Sequence, residues 1–344
     1  MSKQFLGWVV GSLLLAGSIP ATLTAEESSV EPVVSCGTDA SGTCGGEMVL
    51  DQSCAWKVKA GILFLQRGGL PSQDLARGLG SAPNPVVDAD QFGFGFEGGP
   101  DLTIVHHGDA ADIEFRWFQV HDSTAETPTI NSESMGFGFP FRWLLGVTGP
   151  DGVDLSARYI SQLTSFELNL KRPITDRITV FGGFRYVEFD ELLSYSATPV
   201  GDNHPVPLNA QSFNNLYGFQ IGSDITVLDR GPFQLLATGK AGIYANSARN
   251  RAGGNGDPDF TDFASTSHAA FVGEIGLNGS YQITPRLAAR IGYQVMWLDG
   301  VALASKQQPC LDPAHDVEDF GSPSVDTGGT AFYHGVLGGL DFRF

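Results

Sequence analysis

The feature that most constrains this chain is a two-residue rhythm of apolar and polar side chains recurring in ten segments. No apolar run of 18 residues follows the N-terminal 25. In "RLAARIGYQVMWL", Leu287, Ala289, Ile291, Tyr293, Val295 and Trp297 share one face, and Arg286, Ala288, Arg290, Gly292, Gln294 and Met296 share the other. In "FQLLATGKAGIYA" the apolar face is Phe233, Leu235, Ala237, Gly239, Ala241, Ile243 and Ala245, opposite Gln234, Thr238, Lys240, Gly242 and Tyr244. A period of two belongs to strands. The segments are 55–66, 95–107, 111–121, 155–171, 177–190, 214–228, 232–246, 267–282, 286–299 and 328–344. Each is long enough for the ~9–11 tilted residues with which a strand crosses a bilayer. "ESMGFGFPFRWLLGVTG" (133–149) reads as a loop, a lid or one more hairpin that raises ten strands to twelve, with Pro140 marking an irregular edge.

The connections fall into two kinds. "HHGDAAD" (106–112), "LKRPITDRITV" (170–180), "VLDRGPFQL" (227–235) and "YQITPRLAA" (281–289) place Pro, Gly or Asp in short turns. Stretches 68–93, 123–152, 192–213, 247–266 and 300–327 are long and rich in Asp, Pro, Asn, Ser and Gly. Short turns at one rim and long loops at the other characterise barrels of the outer membrane. The predicted fold is therefore all-β, a transmembrane antiparallel up-and-down β-barrel of 10–12 strands with short periplasmic turns and long extracellular loops.

Residues 1–25, "MSKQFLGWVVGSLLLAGSIPATLTA", have one cation, Lys3, an apolar run and small residues before Glu26 and Glu27, the pattern of a cleaved signal peptide. Residues 26–54 lack periodicity and read as a flexible Cys-containing leader, which leaves 55–344 as the barrel. Export permits disulfides among Cys36, Cys44, Cys54 and Cys310. Three connectivities exist, Cys36 with Cys44 being the simplest. No metal-ligand spacing accompanies these cysteines, so no metal and no cofactor are expected. A net charge of −18 excludes nucleic acid as a partner. The 44 glycines, 24 phenylalanines and 17% charged residues suit a barrel better than a helical soluble protein.

The last strand ends on an apolar alternation, Leu340, Phe342 and Phe344, which resembles the signal read by the barrel-assembly machinery. If the apolar faces meet lipid, the opposite faces line the interior. There the pore-lining candidates are Lys57, Lys59, Glu114, Arg116, Glu167, Arg185, Asp224, Lys240, Glu274, Arg290, Asp341 and Arg343, seven cations and five acids. Such an interior forms either a narrow pore or a plug of ion pairs. Trp56, Trp117, Trp143, Trp297, Tyr186, Tyr281 and Tyr293 read as interfacial anchors.

Acids gather in the loops at Asp88 and Asp90, at Asp202, at Asp257, Asp259 and Asp262, and at Asp316, Glu318 and Asp319. Without a calcium-loop spacing they read as solvated. His106 and His107 beside Asp109 suggest an acid–base pair, but at a short turn. His204, His268, His315 and His334 are scattered, and neither Gly-x-Ser-x-Gly nor His-Glu-x-x-His occurs. No enzyme is expected on these grounds.

"FGGFRYVEFDELLSYS" (181–196), with "GFEGGPDLTI" (95–104) and "DIEFRWF" (112–118), resembles the outer-membrane β-barrel porin families, in particular the seventh of that numbered series. The layout over 55–344 is similar to that of the pore-forming major outer-membrane protein family. The resemblance implies a porin in the outer membrane of a Gram-negative-type bacterium, passing ions and small hydrophilic solutes by diffusion. The alternative is a plugged structural or adhesion barrel acting through acidic extracellular loops. Its partners would be outer-membrane lipid, the assembly machinery and the solutes.

Overall fold

The computed structural model describes residues 55–78, 85–137, 147–202, 204–254, 261–307 and 324–344. Cys36, Cys44, Cys54 and Cys310 lie outside the described residues, as do the signal and leader segments, Trp143, His315, Asp257, Asp259, Asp316, Glu318 and Asp319. The described residues form thirteen strands in one sheet. They are β1 (Trp56–Arg67), β2 (Asp74–Gly78), β3 (Pro85–Asp88), β4 (Phe96–His106), β5 (Asp112–Glu126), β6 (Ile130–Phe137), β7 (Val147–Pro173), β8 (Ile178–Pro199), β9 (Val206–Arg230), β10 (Phe233–Gly254), β11 (Thr261–Thr284), β12 (Leu287–Val301) and β13 (Gly329–Arg343).

Ten of these close on themselves in the order β1-β4-β5-β7-β8-β9-β10-β11-β12-β13, with β13 pairing back to β1 and every neighbour antiparallel. The seam is carried to the last residue: Phe344 N–H donates to the Trp56 carbonyl at 2.9 Å, and Trp56 N–H donates to that of Phe344 at 3.3 Å. The barrel is all-β, and no helix among the described residues is long and apolar enough to cross a membrane. At two places the strands pack too closely for any side chain. A Cβ at Gly335 would stand 1.9 Å from the Phe64 carbonyl oxygen, and one at Gly99 would stand 1.6 Å from that of Gln119.

The segment 133–149 adds no membrane hairpin. After a break at 127–129, β6 continues in line with β5, and both run antiparallel to β7. Thr127 fixes the break, donating its N–H to the Ala157 carbonyl at 2.9 Å and accepting the Ala157 N–H on its hydroxyl at 3.1 Å. Strands β2 and β3 then extend the free edge of β6. Residues 138–146 lie outside the described residues.

The outer surface is apolar, with Phe219 75% and Ile221, Ile243 and Ile291 at least 70% exposed to anything but protein. A continuous belt of this kind is tolerable only against lipid. Aromatic rows bound it. Trp117, Phe166, Tyr186 and Tyr217 are paired across β5, β7, β8 and β9, with successive ring centroids 6.3, 6.2 and 4.8 Å apart. At the short-turn end stand Trp56, Phe233, Tyr281 and Phe344. Amphipathic rings at both borders mark the two membrane interfaces.

Strands β7 to β11 run for 22–27 residues, about twice what the bilayer needs. Their extracellular halves stand above the upper aromatic row, and there the apolar face changes sides. On β8, Ile178, Val180, Phe184 and Tyr186 face outward, but Val187, Phe189, Leu193, Tyr195 and Ala197 are buried inside. On β9, Ile225, Ile221, Phe219 and Tyr217 face outward, whereas Leu216, Ala210 and Leu208 are buried. Below the row the apolar surface meets lipid. Above it water lies outside, so the apolar surface must turn inward.

Candidate functional site

The interior has three layers. The lowest opens toward the short turns, which on the outer-membrane pattern face the periplasm. The middle layer is a network of charges. Arg116 donates to Asp101 at 2.9 and 3.0 Å, to Glu274 at 2.7 Å and to the Gln294 amide oxygen at 2.7 Å. Arg185 reaches Glu274 at 3.0 Å and the Ser165 hydroxyl at 3.0 Å. Lys240 lies 2.9 Å from both Glu167 and Glu274, and Gln220 donates to Glu167 at 2.8 Å. Toward the periplasmic mouth, Lys171 bridges Glu114 and Asp224 at 2.8 and 2.7 Å. Arg290 bridges Asp101 and Asp341 at 3.2 Å each, and Lys57 meets Asp341 at 3.1 Å.

Ten of the twelve charged positions named from the alternation join these pairs; Lys59 and Arg343 form none within 4.0 Å. Asp101, Lys171, Gln220, Asn169 and Gln294 also belong to the network, and sequence reasoning passed over them. Asp101 shares the inward parity of Thr103 and Val105, a signal that the alternation of 95–107 contained.

The upper layer is an apolar core. Leu63, Leu65, Phe118, Phe189, Met296 and Tyr333 are fully buried within it. Two chain segments fold in from above. Phe92 and Phe94 pack against Tyr159 at centroid distances of 5.5 and 5.7 Å. Residues 302–307 follow β12 into the interior, where Ala302, Leu303 and Ala304 are fully buried. Asn214 holds the backbone of Ala302 from both sides, accepting its N–H at 2.7 Å and donating to its carbonyl at 2.8 Å. Glu191 holds Ala304, accepting its N–H at 3.1 Å, while also pairing with Arg67 and accepting from the Tyr159 hydroxyl. The Arg67 guanidinium lies over the Phe94 ring at 4.8 Å.

Among the described residues no water-filled conduit passes through these layers. A water-lined lumen leaves its lining exposed, but Arg185, Glu167 and Glu274 in the charged layer retain 3% of their surface or less, and Leu63, Leu65, Phe118, Phe189, Met296 and Tyr333 above them retain none. Ten strands enclose little more width than the eight whose interior side chains just fill a barrel. Long Arg, Lys, Tyr and Phe side chains take up the difference.

At the extracellular end Asp88 is engaged in structure. It caps the short turn 89–91 and accepts the N–H of Gln73 and Asp90 at 3.0 and 2.9 Å and the Ser72 hydroxyl at 2.9 Å. Slight desolvation opposes its ionisation, but the backbone donors and the hydroxyl outweigh it and hold the carboxyl below the usual range. Asp202 accepts from His204 Nδ1 at 2.8 Å and from its backbone N–H at 3.1 Å, in an exposed loop. At the opposite end His107 pairs with Asp112 at 3.0 Å rather than with Asp109, and His106 packs edge-on to Trp56 at 4.5 Å. His334 accepts or donates to the Tyr293 hydroxyl at 2.8 Å on the outer surface, and His268 pairs in register with Asn246. No group of three metal-ligating residues occurs among the described residues.

Fold and interior together define a closed β-barrel of the outer-membrane type. No family model matches the chain, and no curated protein does. Among solved structures it is similar to the outer membrane protease OmpT of Escherichia coli, at 10% identity over 84% of this chain and 96% of that one, with a TM-score of 0.46. It is also similar to the translocator domain of the autotransporter NalP of Neisseria meningitidis, at 10% identity over 86% and 91%, with a TM-score of 0.41.

These findings correct four expectations. The resemblance to the β-barrel porin families and to the major outer-membrane protein family is not supported by any family match. The assignment as a passive diffusion porin, and with it pore formation and ion transport, falls to the filled interior. Acidic loops as the working element fall with the same assignment. The expectation that the chain is not an enzyme is withdrawn, because the absence of two sequence motifs excludes no catalytic site.

Proposed function

We propose that this chain is a closed outer-membrane barrel that works at its extracellular end and conducts nothing. The carrying observation is the double closure of the interior, by the ion-paired layer and by the apolar core that Arg67, Glu191 and Asn214 fasten to residues 302–307. What remains accessible is the crown of long hairpins above the upper aromatic row. In this reading residues 1–25 are removed on export, 26–54 form a leader, and 55–344 fold into the barrel. The assembly machinery reads Leu340, Phe342 and Phe344, of which Leu340 and Phe344 lie exposed on the outer face of the seam. The test is planar-bilayer conductance of the folded chain. We expect no discrete steps above the bare membrane, and regular steps from folded, protease-resistant protein would sink the reading.

A second reading concerns what the crown does. The Asp202–His204 contact at 2.8 Å places a carboxylate on an imidazole nitrogen, the arrangement that orients a general base. Hydrolysis of an extracellular peptide would use it to activate water. The folded chain is incubated with a mixed peptide library, and cleavage products are read by mass spectrometry. Cleavage that disappears in His204→Ala supports this reading; an intact library with the native chain ends it.

A further inference from the structure

The mouth at the short-turn end encloses a cavity of about 100 Å³. That is room for several water molecules, since one needs ~10–15 Å³ by the same measure. Six cations and four carboxylates line it, and Asp101 and Glu167, which pair with Arg116, Arg290 and Lys240 just behind the lining, bring the carboxylates to six. The cations differ in how they are satisfied. Lys57, Lys171, Lys240, Arg116 and Arg290 each meet at least one carboxylate within 3.2 Å. Among the described residues Lys59 meets none within 4.0 Å and makes no hydrogen bond, although its ammonium has three protons to donate.

A second donor in the same lining is also idle. The Gln294 side chain is 5% exposed, and its amide oxygen accepts from Arg116 at 2.7 Å. This fixes the amide orientation and leaves the nitrogen buried without a partner. A buried donor left unsatisfied is costly, and native structures rarely keep one without a use. Two unfilled donors, one of them an ammonium without a carboxylate of its own, and an open cavity share one requirement: an acceptor-rich group carrying negative charge.

We propose that Lys59 and Gln294 form the donor side of a binding site for a small oxyanion, of the size and chemistry of phosphate, in the periplasmic vestibule. The anion receives the Lys59 ammonium and the Gln294 amide N–H, with Thr103, Asn278 and Ser280 of the same lining available as hydroxyl and amide partners. The carboxylates already engaged by Lys57, Lys171 and Arg290 are not displaced.

The test is titration of the full chain, folded in detergent, with inorganic phosphate, followed by calorimetry and by ³¹P line broadening. We expect saturable binding of one phosphate per chain, retained in Lys59→Arg and weakened about tenfold or more in Lys59→Met, because a charge-assisted hydrogen bond is lost. Arg343→Gln, at the mouth but outside the cavity lining, leaves the affinity unchanged. If Lys59→Met does not fold, Gln294→Glu carries the test by putting a carboxylate against the anion, and binding is lost. Absence of saturable binding by the native chain overturns the proposal. So does unchanged affinity in Lys59→Met or, where that variant does not fold, in Gln294→Glu.

Discussion

At the scale of single residues, Glu191 carries more than any other side chain in the upper core. It pairs with Arg67, takes the Tyr159 hydroxyl and clasps the backbone of Ala304, all with its side chain fully buried. Removing either partner leaves an uncompensated charge in an apolar environment. Arg67→Met or Glu191→Leu should each lower stability by about 3–5 kcal/mol, whereas the double variant should cost clearly less than the sum. Urea midpoints of the three variants measure this; strict additivity would show that the two charges do not support each other. Neither residue was legible in the sequence. The alternation was cut at 66 and at 190, one residue short of each, because a charged side chain following an apolar stripe reads as the start of a loop. The charged positions of the middle layer were legible because each stands alone on the polar face of an otherwise apolar strand.

Among the elements, the ten crossing strands were readable to within a residue or two at their periplasmic ends, where Pro, Gly and Asp mark the turns. So were the extracellular ends of β1, β4, β12 and β13, but those of β5 and of β7 to β11 were not. The stretches 192–199 and 206–213 lie in β8 and β9, yet they read as loop because the apolar face changes parity above Tyr186 and Tyr217. A search for one continuous stripe ends where the stripe crosses over. The same crossing makes the effect of a charge depend on height. Ile221, 73% exposed on β9 and four residues below Tyr217 in the lipid belt, should lose about 2–4 kcal/mol on Ile221→Lys, as charges do near a bilayer midplane. Ser247→Lys, outward on the neighbouring β10 and above the aromatic row, should stay within about 0.5 kcal/mol. Refolding titrations into short-chain lipid vesicles compare the two, and equal losses would mean that the upper row is not the membrane border.

For the whole molecule, closure in two layers makes the conductance prediction robust. The Arg67→Met/Glu191→Leu variant loosens only the upper layer, so the ion-paired layer beneath still blocks passage and bilayers containing this variant should also stay silent. What the sequence could not reveal at this scale is the return of residues 302–307 into the interior, since Asn214 and Glu191 lie 88 and 113 positions from the backbone groups they hold. The inversion of the apolar face above the membrane also restricts how such a chain can change length. One residue inserted into β8 near Tyr186 would turn Val187, Phe189, Leu193 and Tyr195 out toward water and bring their polar neighbours inside. Two residues would restore every facing. Growth or shortening of these hairpins over evolutionary time is therefore confined to even steps, like a zip that closes only on whole pairs of teeth.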